Sequence, residues 1–110
     1  MNDMSQFDAT AAAFLIAAQA KVTADYLRFS PGREAYAPKL SFERGKRFVR
    51  IVAATGQGAG TSRGAFGFID TTNGDVLKAA SWKSPAKNFA RGNIFGEQNG
   101  CGRICWTGVS

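Results

Sequence analysis

The chain has 110 residues and a formal charge of +6, with fourteen basic and eight acidic side chains and no histidine. That length fits one domain with one core. The missing histidine removes the commonest general base and metal ligand, so Ser-His and Cys-His catalysis are excluded. The charge is uneven: residues 1–38 carry a net −1 and residues 39–110 a net +7. A positive field confined to the later part points to a polyanionic partner.

The spacing predicts a helix from about residue 8 to 29, beginning near Ala9 with Ser5 or Asp8 as its cap. Phe7, Ala11, Phe14, Leu15, Ala18, Val22, Tyr26 and Phe29 recur at steps of three and four, which puts them on one core-facing stripe. Gln19, Lys21, Thr23 and Asp25 fall on the side expected to stay wet. Ser30-Pro31-Gly32 ends the helix, because proline lacks the amide that continues the ladder. The Ala-rich stretch Ala9 to Ala20 follows acidic residues and lacks a basic leader, so it reads as mature protein. No apolar run is long enough to span a bilayer, so no membrane partner is expected.

From about residue 39 to 95 the pattern alternates, as strands do. Leu40 and Phe42 alternate with Lys39, Ser41 and Glu43, and Arg44-Gly45-Lys46 turns the chain into the β-branched stretch Arg47 to Ala54. The glycines after Thr55 lack the following helix that a phosphate-cradling loop requires, since Gly64 to Asp70 again alternates. Thr71-Thr72-Asn73-Gly74 is a hairpin turn. A three-residue turn with Gly74 in the left-handed position sets Phe68 opposite Lys78 and Phe66 opposite Ala80. Phe66, Phe68, Val76, Lys78 and Trp82 then share a surface. Ser84-Pro85 opens a helical turn closed by Gly92, presenting Lys83, Lys87 and Arg91 together. Asn93 to Phe95 is a last strand, and residues 96–110 form a glycine-rich tail. The expected architecture is α+β, mostly β, in a single domain 1–110: an N-terminal helix, then a bent five-stranded antiparallel sheet or small barrel.

Gly74-Asp-Val-Leu-Lys-Ala-Ala-Ser-Trp-Lys83 and Ala90-Arg-Gly-Asn-Ile-Phe95 resemble a family of small uncharacterised proteins of tailed phages and viral metagenomes. That family has no settled activity. The order of elements resembles the Sm-like fold, which implies ring assembly and binding of single-stranded RNA. The fold does not carry function with it.

Asp70 and Asp75 flank the hairpin turn and suit local backbone bonds better than a cation. Cys101 and Cys105 supply only two of the four ligands of a structural zinc and fit a reducing cytoplasm, free or paired. No cofactor or metal is expected, and no enzyme. The chemistry left is aromatic and cationic. Bases stack on aromatic rings while Lys and Arg follow phosphates, so Arg50, Lys78, Trp82, Lys83, Lys87 and Arg91 are candidate contacts for single-stranded RNA or DNA. Phe66 and Phe68 serve either that platform or the core. The other reading is an oligomeric structural or virion-associated protein without nucleic-acid activity. A homo-oligomer is expected because an open sheet leaves two edges to pair.

Overall fold

The computed structural model describes residues 4–56, 62–86 and 89–110. Helix α1 (Met4–Phe29) is followed by a short helical turn (Glu34–Tyr36) and strands β1 (Lys39–Arg44), β2 (Phe48–Thr55), β3 (Ser62–Asp70), β4 (Asp75–Lys78) and β5 (Gly92–Asn93). These five strands form one antiparallel sheet in chain order. A second hairpin, β6 (Ile104–Cys105) with β7 (Gly108–Val109), closes the chain. The mostly-β α+β class stands, with one long helix before a five-stranded antiparallel sheet. Among the described residues no barrel forms: β1 and β5 stand at opposite edges and do not pair with each other, so the sheet stays open.

Helix α1 starts earlier than expected, so Ser5 and Asp8 lie inside it rather than at its cap. Asp8 instead pairs with Arg44 at 2.6 Å, tying the first turns to the end of β1. The predicted stripe is the buried one through Phe7, Ala11, Phe14, Ala18 and Val22. Its last member departs from the expectation: Phe29 is 70% exposed, with its ring tilted against that of Trp106. The side expected to be wet is tethered. The Gln19 amide donates to the Pro38 carbonyl at 2.8 Å and its oxygen accepts from the Leu40 N–H at 2.7 Å. Lys21 donates to the Cys101 carbonyl, and Asp25 accepts from the Trp106 N–H. Backbone groups brought in by the fold claim these side chains.

Directly paired residues share a sheet face. Val49, Ile51, Ile69 and Val76 therefore lie on the face that packs with α1. Phe48, Arg50, Phe68 and Leu77 lie on the other. The hairpin register is one residue off the expected one: Phe68 faces Leu77 and Gly67 faces Lys78. The loop is longer than assumed, because the Gly74 N–H (φ +83°) reaches the Asp70 carbonyl and Asp70 is still in the sheet opposite Phe48. Lys78 consequently parts from Phe68. A bulge opposite Ile51 and Val52 skips Phe66, sending it into the core with α1 while Phe68 stays on the far face. Both rings are buried, at 4% and 2% exposure.

The helical turn expected from Ser84 to Gly92 is not present in the described part of that segment. Ala80 and Ser81 donate to the Ser84 carbonyl, Ala79 bridges Pro85, and Ala86 donates to the Lys78 carbonyl at 2.7 Å. The chain thus doubles back along β4, whose free edge supplies better partners than a short helix. Arg91 joins the same edge through the Val76 carbonyl, and β5 begins at Gly92 rather than Asn93.

The tail is structural. Gln98, Asn99 and Gly100 take left-handed φ values of 55°, 52° and 79°. This turn lies so close to β5 that a Cβ at Gly92 would stand 2.8 Å from the Gly100 carbonyl oxygen. Cys101, Ile104 and Val109 then complete the core beneath α1. Among the described residues no helix is long and apolar enough to cross a membrane.

Candidate nucleic-acid interface

The face of the sheet away from α1 carries a cleft of about 290 Å³. Its walls are the β1–β2 turn, with Arg44, Lys46 and Arg47, and the returning loop after β4, with Lys83; Phe48, Arg50 and Phe68 line it from the sheet. Glu43 is the one acid among the described residues that line it. The local sequence explains the crowding. Arg44-Gly45-Lys46-Arg47 forms a hairpin turn, closed by the Gly45 N–H on the Phe48 carbonyl, and such a turn cannot bury its cations.

Some of these charges are already engaged. Arg44 pairs with Asp8, and Arg47 with the buried Asp70 at 3.2 Å. Asp70 also accepts from the Thr72 N–H and hydroxyl. Burial opposes its ionised form, but the Thr72 and Arg47 bonds prevail and hold the carboxyl below its ordinary range. Lys46 and Lys83 are exposed and have no ion-pair partner among the described residues.

Arg50 holds the returning loop down. Its Nε donates to the Trp82 carbonyl at 2.7 Å, and its guanidinium lies 4.3 Å from the Trp82 ring centre and 6.0 Å from Phe68. Its Nη1 reaches Glu43 at 2.7 Å. Arg63 meets the other oxygen of Glu43 at 2.5 Å and lies 5.7 Å from the Trp82 ring. The Arg63 bond first, and then the Arg50 bond, keep the Glu43 carboxyl below its usual value. Trp82, 38% exposed, is a ring set over two arginines with surface left for a ligand.

The fold therefore brings together three of the expected contacts, Arg50, Trp82 and Lys83. Lys78 is exposed but shares a face with Gly67, on the helix side of the sheet. Arg91 does not line the cleft; its guanidinium lies 3.8 Å from the Phe89 ring centre and donates to the Phe89 carbonyl. Lys87 lies outside the described residues. Sequence reasoning missed Lys46, Arg47, Glu43 and Arg63. The run of cations across a glycine turn was the available signal for the first two. Nothing local marked the others, because Glu43 and Arg63 meet only through strand order.

Both thiols are free. Burial pushes Cys101 up, whereas the Thr107 hydroxyl, at 3.0 Å, draws Cys105 down. No group of three or more His, Cys, Asp or Glu residues is placed to hold a metal among the described residues. No curated protein and no solved structure matches the sequence. Residues 4–110 match the family of unknown function designated DUF7717, and the chain belongs to that family.

Proposed function

We propose that this chain is a single-stranded nucleic-acid-binding module whose interface is the cleft on the helix-free face of the sheet. The observation that carries this reading is that Lys46 and Lys83, without an ion-pair partner among the described residues, line the cleft together with Arg50, whose guanidinium backs the 38% exposed ring of the neighbouring Trp82. Cations follow phosphates and an aromatic ring takes an unpaired base, and that pairing serves single strands of varied sequence. A duplex keeps its bases stacked and offers the ring nothing.

Fluorescence anisotropy of labelled single-stranded DNA and RNA, titrated at several salt concentrations, tests the reading. Each phosphate contact on a single strand adds about 0.7 to the slope of log affinity against log salt. Lys46→Ala with Lys83→Ala should lower that slope by about 1.4 and leave the melting temperature nearly unchanged, since both side chains are exposed. Absence of wild-type binding at low salt refutes it.

The second reading, an oligomeric structural or virion-associated protein, draws on a different place. Phe29, beside Trp106, and Tyr36 are both exposed, and exposed aromatic surface favours contact between copies. The phage-like resemblance sits with this reading. Light scattering across protein concentration, repeated on Phe29→Ser, separates it from the first.

A further inference from the structure

We propose that Arg63 and Trp82 bind a single nucleotide unit of the strand, base on the ring and phosphate on the guanidinium, with Glu43 as the positioning residue for Arg63. The inference rests on the nucleic-acid reading above and adds residues and roles to it.

Glu43, Arg50 and Arg63 come from three neighbouring strands, and their side chains share the face of the sheet that the Trp82 loop crosses. Both arginines meet Trp82, yet they are not equivalent. Arg50 is 23% exposed and spends donors on the Trp82 carbonyl and on Glu43. It is the strut. Arg63 is 51% exposed and spends one Nη on Glu43, which leaves the remaining N–H groups of its fork for an anion. Its guanidinium stands 5.7 Å from the ring centre. A phosphate bonded to it sits beside a base stacked on Trp82, as the phosphate of that base's own nucleotide requires.

Without Glu43, Arg63 is a long side chain with free rotamers on an exposed strand end, and ordering it would cost the complex binding energy. The carboxylate supplies that order in advance. It also sets up a test, because charge and position predict opposite signs. Removing a negative charge from a cationic site should strengthen phosphate binding if charge alone matters. Losing the clamp should weaken it.

The experiment measures binding of fluorescein-labelled oligo(dT) and oligo(U) near 50 mM salt, and the salt slope, for the wild type, Glu43→Gln, Arg63→Gln, Arg63→Lys and the Lys46→Ala/Lys83→Ala pair. Trp82 quenching is read in a Trp106→Phe background. Arg63→Gln should lower the slope by about 0.7. Arg63→Lys should keep the slope but lose affinity, since an ammonium carries the charge without the fork. Glu43→Gln should weaken binding about threefold or more and reduce Trp82 quenching, while leaving the slope's dependence on Lys46 and Lys83 intact. If Glu43→Gln melts too early to assay, the contrast between the Arg63 variants decides. Tighter binding by Glu43→Gln, or an unchanged slope in Arg63→Gln, overturns this inference while binding through Lys46 and Lys83 keeps the broader reading. A wild type that binds neither oligonucleotide overturns both.

Discussion

Gln19→Ala probes how the helix is fastened to the sheet. The side-chain amide donates to the Pro38 carbonyl and accepts from the Leu40 N–H, so it fills the place of a neighbouring strand at the start of β1. A hydrogen bond contributes about 0.5–1.5 kcal/mol net, and a donor stranded without a partner costs about 1–3 kcal/mol when buried. These groups are only part-buried, so water recovers some of that loss. Alanine also returns a few tenths of a kcal/mol through helix propensity. The net expectation is about 1–2.5 kcal/mol of destabilisation, and about 4–10 °C in melting temperature for a domain of this size. Thermal unfolding by circular dichroism reads it, with the exposed Ile16→Ala as the control that should stay within about 0.5 kcal/mol. Gln19→Glu should recover little: its carboxylate still accepts from Leu40 but meets the Pro38 oxygen with no proton to give. Opening this part of the edge should also raise self-association in sedimentation experiments. A Gln19→Ala protein melting within about 2 °C of the wild type would falsify the strand-substitute account.

Three further outcomes follow from the packing and the titrating groups. Gly67→Ala places a Cβ 2.8 Å from Val109 and 2.9 Å from the Leu77 carbonyl oxygen, so it should cost about 1–3 kcal/mol in denaturant melts, whereas Gly64→Ala, with nothing within 4 Å, should be neutral or slightly stabilising. Asp70 has a depressed folded pKa, so its contribution is complete above the ordinary Asp value of about 3.9 and is lost as pH falls through the lower folded value; Asp70→Asn should flatten acid unfolding in that window, and an unchanged acid limb counts against it. Iodoacetamide followed by mass spectrometry should modify Cys105 before the buried Cys101, and Thr107→Val should slow the Cys105 reaction.

What was legible in the sequence depended on how local its cause is. The buried stripe of α1 follows from residue spacing alone, and Phe7 to Val22 obey it. Phe29 fails because burial there needs a neighbour, and the ring that meets it is that of Trp106, far along the chain. The hairpin was visible at Asn73-Gly74, but its register depends on Asp70 remaining paired with Phe48 in the sheet, which is a long-range fact. One residue of loop length then moved Lys78 to the helix side. Phe66 and Phe68 are two residues apart and would share a face in a regular strand; the bulge separates them. At the site, Trp82 and Lys83 were legible because chemistry marks them. Glu43 was not, since an acid in a basic region has no local signature until two arginines from other strands close on it.

The two faces of the sheet also differ in what holds them covered, and this bears on how a strand could enter the cleft. On one face α1 and the β6–β7 hairpin bury a continuous apolar core, from Phe14 and Val22 to Ile69, Ile94 and Val109. On the other, Phe68 meets Phe48 and Arg50, and the returning loop beside them is fastened by the Arg50 bond to Trp82, the Ser84 turn and the Ala86 bond to β4. Few buried apolar contacts and exposed hydrogen bonds mark segments that open at low free energy. Loop amides around Trp82 should therefore exchange with solvent faster than those of β2 and β3, and a bound single strand should slow them. Arg50→Ala removes the strut, so it should speed exchange at Ala80 and Ser81 while leaving Val49 and Ile69 protected. Equal acceleration at all four would mean that the loop and the core open as one unit, and that ligand entry requires global unfolding rather than a local opening.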